Sequence, residues 1–290
     1  MTKAERHTWS APSPLEGEGW GGGAGVTAAS KPNTRTLTPN PSPPSGRSRP
    51  SSTGYGGGEH TERLAGAYVS IANVTLHADC SGALYWPDEG LLVVSDLHLE
   101  KGSSFARRGV LLPPYDTVAT LGRLAQLVAR YRPRCVVALG DSFHDGGGPA
   151  RLAPSDCAAL GALQRGRDWI WIAGNHDPDP AEGIGGSFAA VLALGALTFR
   201  HEPTREAPAG EVAGHLHPVA RIAQRGRAVS RRCFAADGQR LVMPAFGAYA
   251  GGLNVRDRAF AGLFEASAFT AHMLGERRLY AVAAKRCLSD

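Results

Sequence analysis

Three apolar runs limit what this chain can fold into: LLVV at 91–94, CVVAL at 135–139 and WIWI at 169–172, each followed within three residues by a polar burst. Four or more apolar residues in a row exceed the alternation of a half-exposed strand, so both faces of each run must be covered. Between the first two runs, YDTVATLGRLAQLVARYRP places Val118, Leu121, Ala125 and Val128 at helical spacing, with Asp116 as its cap and Pro133 beyond its end. Between the second and third, PSDCAALGALQRG reads as another helix. Strands alternating with helices imply parallel crossover units in a layered α/β domain.

Upstream, YVSIANVTL and GALYW read as strands. After about residue 195 helical patterns thin out, and ALTFRHEP, GEVAGHL, GRAVSRRCFAADGQRLVMP and RRLYAVAAK read as strands and hairpins of a second, more antiparallel sheet. Trp169 and Trp171 are expected in the core. Residues 1–60 hold 8 Pro and 11 Gly, a level at which an aperiodic segment builds no core. They are expected to be a disordered extension or a mispredicted start, leaving residues 61–290 as the folded domain.

Lys and Arg outnumber Asp and Glu by 31 to 26, a mild excess that suits an anionic substrate and falls short of a dense basic binding surface. The five cysteines are scattered without a CxxC pair and read as reduced thiols, which with the absence of a secretory leader gives a cytoplasmic expectation. FAAVLALGALTF is too short to cross a bilayer, which takes about 20 residues. No membrane association is expected.

The polar bursts carry the chemistry. VVSDLHLEKG presents Asp96 and His98, VALGDSFHD presents Asp141, His144 and Asp145, and WIAGNHDP presents Asn175, His176 and Asp177. Carboxyl ends of strands in open α/β sheets line the ligand crevice, so the three should converge. FRHEP and AGHLHP add His201, His215 and His217. Mixed carboxylate and imidazole donors suit borderline divalent metals such as Mn, Fe or Zn better than Ca or Mg. In DLH and HLH, residues two apart on an extended chain face the same side. Gly140, Gly174 and Gly214, one before each motif, permit close backbone approach.

The ordered set DxH, GD, GNHD, H and GHxH resembles the calcineurin-like metallophosphoesterase superfamily over residues 91–218. More narrowly, SDLHLEKGSSFARRG, GDSFHDGGG and PAFGAYAGGLNV are similar to the bacterial ligase-associated DNA damage response endonucleases of the PdeM type. The resemblance implies a four-layered α/β/β/α sandwich of two mixed sheets and two divalent ions, Mn before Fe or Zn. It implies one ion on Asp96, His98, Asp141 and His217, a second on Asp141, Asn175, His201 and His215, and Asp141 as the bridge.

Two divalent ions less two carboxylates and a hydroxide leave a net positive centre for a phosphate oxygen. Such a pair, about 3.5–4 Å apart, serves in-line displacement. The resemblance further implies His176 as proton donor to the leaving group or stabiliser of developing charge, and His144 as a secondary catalytic residue; Asp177, next in sequence, is expected to orient the His176 ring, as carboxylates around metal sites commonly do. Asp145 is expected to support the loop.

Lys101, Arg107 and Arg108 are candidate contacts to flanking phosphates. Arg225, Arg227, Arg231 and Arg232 are expected on a solvated hairpin, without interleaved aromatics for base stacking. The expected activity is phosphodiester hydrolysis in DNA, and the resemblance implies a DNA ligase, a helicase and an exonuclease as partners in repair. A phosphodiesterase for small nucleotides and a non-catalytic metal-stabilised repair scaffold are the alternatives.

Overall fold

The computed structural model describes residues 34–36, 65–180 and 183–290. Among them are two mixed sheets, as expected. The first runs in chain order through Gly66–Ile71, Val74–Asp79, Leu84–Trp86, Leu91–Val94, Cys135–Leu139, Asp168–Ile172 and Ser187–Ala189. Its first four strands pair antiparallel and its last four parallel. YVSIANVTL is a hairpin rather than one strand, because Ala72 and Asn73 both take positive φ (47° and 66°) and close a two-residue turn.

In the second sheet Leu197–Arg200, Glu211–Ala213 and Arg240–Val242 lie parallel. The hairpin Pro218–Gln224 with Arg227–Ala236 and the strands Thr270–Leu274 and Leu279–Ala283 are antiparallel. FAAVLALGALTF supplies three short strands. Most of the expected disordered extension lies outside the described residues. Its described part, Thr34–Thr36, is a strand parallel to Val191–Leu194, in keeping with β-branched alternation.

The apolar runs are covered on both faces. Val93, Val137, Leu139, Ile170 and Ile172 meet Phe199, Val212, Phe234 and Leu241 of the second sheet in the central core. Leu92, Val94, Val136, Ala138, Trp169 and Trp171 meet the helices Asp116–Tyr131 and Pro154–Gln164. The first of these helices is rotated from its expected phase. Thr120, Leu121, Leu124, Leu127, Val128 and Tyr131 are buried, whereas Val118 is 57% exposed and Ala125 is exposed. Asp116 does not cap it by side chain; its Oδ2 accepts from the Gly102 N–H at 3.1 Å and ties the helix Lys101–Arg107 to it.

No α-helix follows Gln164 among the described residues. The layer beyond the second sheet, expected to be helical, is the 3-10 turn Arg258–Phe260 and its flanking segment, with Phe260 and Leu263 packed on Ala213, Ala235 and Val242. All five cysteines are free. No helix among the described residues is long and apolar enough to cross a membrane.

Candidate metal centre

Every residue expected to hold metal stands just past the carboxyl end of a strand. Leu91–Val94 delivers Asp96 and His98, Cys135–Leu139 delivers Asp141, and Asp168–Ile172 delivers Asn175. From the second sheet, Leu197–Arg200 delivers His201 and Glu211–Ala213 delivers His215 and His217. The seven side chains therefore meet at the seam between the sheets.

The paired motifs do not converge by extended alternation. Asp96, His98, Asp141, His215 and His217 all have positive φ, of 52°, 43°, 46°, 69° and 45°. Such conformations are costly for non-glycine residues and cluster where geometry is tied to function. Left-handed turns aim the donors inward and leave Leu97, 1% exposed, in the core between them. The glycines behave as expected. A Cβ on Gly140 would strike the His201 ring, one on Gly174 the Asp141 backbone, and one on Gly214 the Ser95 hydroxyl.

Two donor groups result. In one, His217 Nε2 lies 3.2 Å from Asp96 Oδ1 and 3.3 Å from His98 Nε2, with Asp141 Oδ2 3.9 Å from His98 Nε2. In the other, His201 Nε2 lies 2.9 Å from Asn175 Oδ1, 3.2 Å from His215 Nδ1 and 3.3 Å from Asp141 Oδ1. His215 Nδ1 is also 2.9 Å from Asn175 Oδ1. Asp141 takes part in both. His201 donates its Nδ1 proton to the Leu139 carbonyl at 3.0 Å, so a neutral ring turns the lone pair of Nε2 toward these oxygens.

This arrangement fits divalent cations. Asp96 and Asp141 are 0% and 3% exposed and, among the described residues, neither has a Lys or Arg in ion-pair range. Buried carboxylates with no Lys or Arg beside them, ringed by imidazole and amide donors, call for positive charge, which bound cations or protonated imidazoles can supply. Burial opposes charge on His201, yet its hydrogen bond to Asp141 and the carboxylates of Asp96 and Asp141 lift its pKa to about 9. Burial, and then the neighbouring His217, push His98 down to about 3, keeping it a neutral donor. Asp96, His98 and His217 form one cluster able to hold an ion, and Asp141, His201 and His215 another.

Residues 91–222 match the family of calcineurin-like phosphoesterases. That stretch, which carries all seven donors, forms a calcineurin-like phosphoesterase domain. The crystal structure of Pseudomonas putida nuclease MPE is similar to this chain, covering 74% of it and 99% of its own chain, with 25% identity and a TM-score of 0.54. Yfce, a phosphoesterase from E. coli, aligns with 67% of this chain and 98% of its own at 16% identity and a TM-score of 0.35. No curated protein sequence matches.

Beside the donors, His176 is partly open, its side chain 33% exposed and its Nε2 3.9 Å from Asp141 Oδ2. Its ring is not oriented by Asp177. Nδ1 donates to the backbone carbonyl of His144 at 2.8 Å, while the Asp177 carboxylate turns back to accept from the N–H groups of Ser142 and Phe143 at 2.8 and 3.1 Å. Burial, followed by the charge of Asp141, raises the pKa of Asp177 to about 7 against the pull of those N–H groups.

The His144 side chain is only 4% exposed, stacked on His176 with centroids 5.3 Å apart and beside Phe105 at 5.4 Å. Asp145 supports the loop through a two-pronged pair with Arg151 at 2.8 and 2.9 Å. Lys101 Nζ and Arg108 Cζ lie 5.5 and 6.0 Å from the centroid of Phe105, so two of the three candidate basic residues flank the His144 wall; Arg107 is exposed nearby.

Two supporting groups went unread in the sequence. Ser95 Oγ donates to Asp96 Oδ2 at 2.5 Å, and the His176 N–H donates to Asp141 Oδ1 at 3.0 Å. Only the position of Ser95 directly before Asp96 hinted at the first.

Proposed function

We propose that this chain is a metal-dependent phosphodiesterase that cleaves DNA. The observation that carries this reading is the paired donor set sharing Asp141, with His176 at its open edge and the cationic wall of Lys101 and Arg108 alongside. Asp96, His98, Asp141 and His217 would hold one ion, and Asp141, Asn175, His201 and His215 the other, with Mn as the first candidate. When bound, such a pair supplies Lewis acidity to a phosphoryl oxygen and a nucleophile at neutral pH.

His176 is suited to proton transfer. With Nδ1–H committed to the His144 carbonyl, Nε2 faces the site and, in the protonated ring, gives its hydrogen to the departing oxygen. His144 is a positioning residue, acting through that carbonyl and through its stacked ring. Asp177 holds the Asp141–Phe143 turn in register. Lys101 and Arg108 receive phosphates beside the scissile one.

The similarity to a nuclease over nearly that protein's full length favours a polymeric substrate over a small nucleotide. A place in DNA repair, with a ligase, a helicase and an exonuclease as partners, belongs to the same proposal. Comparing Mn-dependent cleavage of circular DNA with hydrolysis of a small aryl phosphodiester tests it. Both substrates are expected to turn over, and activity confined to the small one would overturn the nuclease reading.

A further inference from the structure

Arg123 and Arg232 come from opposite halves of the chain and meet at one loop. Arg123, on the helix Asp116–Tyr131, donates from Nη2 to the Phe246 carbonyl and lies over that residue's ring, Cζ 4.8 Å from the centroid. Arg232, on the strand Arg227–Ala236, donates from Nη1 to the Ala245 carbonyl at 2.8 Å. The two acceptors are consecutive carbonyls, so both guanidinium groups are anchored on the same short stretch of loop.

Neither arginine has a carboxylate in ion-pair range among the described residues, although both are half-buried. Pinning a loop takes one cation; bringing a second against it adds repulsion that water screens poorly at such a spot. Each group has five N–H donors, of which one is given to the loop, leaving spare donors on both. Burial lowers both pKa values, with the charge of Arg232 adding to the effect on Arg123. An oxyanion relieves that repulsion.

The pair borders the metal centre without belonging to it. Phe246 and Gly247 donate their N–H groups to the carbonyls of Ser95 and Asp96 at 2.8 and 3.0 Å. Arg232 pairs across the hairpin with Val219, two residues beyond His217. We infer that Arg123 and Arg232 form a second anion site, which takes a phosphate of the nucleic-acid strand next to the one being cleaved. This rests on the nucleic-acid reading above and adds residues that no basic run in the sequence marks out together.

The test is the salt dependence of binding to a labelled single-stranded oligonucleotide kept uncleaved by phosphorothioate linkages. Replacing both residues (Arg123→Gln with Arg232→Gln) should reduce the slope of log affinity against log salt by about 0.7, one phosphate's worth, and weaken binding about fivefold near 0.1 M salt. The double Lys variant should keep the slope, because it keeps the charge. Melting temperature and Mn affinity report folding, and if the double Gln variant is unstable the single ones read the same slope. Weaker binding with an unchanged slope would mean that the arginines only hold the loop, and would overturn the inference alone. A wild-type chain that binds no oligonucleotide would overturn the nucleic-acid reading itself.

Discussion

At the residue scale, His176 and Asp177 show what adjacency in sequence conceals. The two are neighbours, yet the turn sends the carboxylate back to Ser142 and Phe143 while the imidazole leans on the His144 carbonyl. Residue types were enough to pick out two carboxylates and four imidazoles that the structure brings together past the strand ends. A backbone carbonyl has no sequence signature, so the partner of His176 was not legible. His176→Ala is expected to lower kcat on DNA by about 10²–10⁴-fold, the usual yield of a positioned proton donor. The loss should be smaller on an aryl phosphodiester, whose leaving group needs no proton, with metal content unchanged. Steady-state rates on both substrates decide it; equal losses would argue against proton donation.

At the element scale, the buried strands were readable because apolar runs leave few alternatives, whereas the helix Asp116–Tyr131 was placed correctly and rotated wrongly. Thr117 and Thr120, not Val118, face inward, because Thr117 Oγ1 accepts from the Glu100 N–H at 3.0 Å and donates to the Glu100 carboxylate at 2.9 Å. Thr120 Oγ1 likewise accepts from the Ala248 N–H at 3.1 Å. Polar residues that satisfy buried backbone groups defeat a pattern read from hydrophobicity alone. Leu124→Ala should cost about 2–5 kcal/mol, as a fully buried leucine does. Val118→Ala should stay within about 0.5 kcal/mol. Chemical denaturation of the two variants checks the phase, and a larger loss at Val118 would contradict it.

At the scale of the whole molecule, the second sheet and its irregular cover were the least legible part, since short strands and a 3-10 turn leave weak periodicity. Stability also depends on a buried network remote from the metal donors. The Tyr131 hydroxyl donates to Asp79 at 2.6 Å, which leaves its oxygen to accept from His77 Nδ1 at 3.0 Å. Burial pulls the His77 pKa below its ordinary 6.5, outweighing the charge of Asp79. As pH falls through that ordinary value the unfolded chain takes the proton first, so this contribution is present above it and is lost below. Thermal melts of wild type and His77→Gln across this range should show a steeper acid loss in the wild type; parallel curves would argue against it.

The two sheets act together most plainly at Asp141, which faces imidazoles from both, and there the central claim is most exposed. Metal content and phosphodiester turnover should be measured on the same preparations of wild type and Asp141→Ala. Two divalent ions per wild-type chain, with reduced metal content and background turnover in the variant, are the predicted result. A variant that keeps wild-type turnover would contradict a centre built on a shared carboxylate.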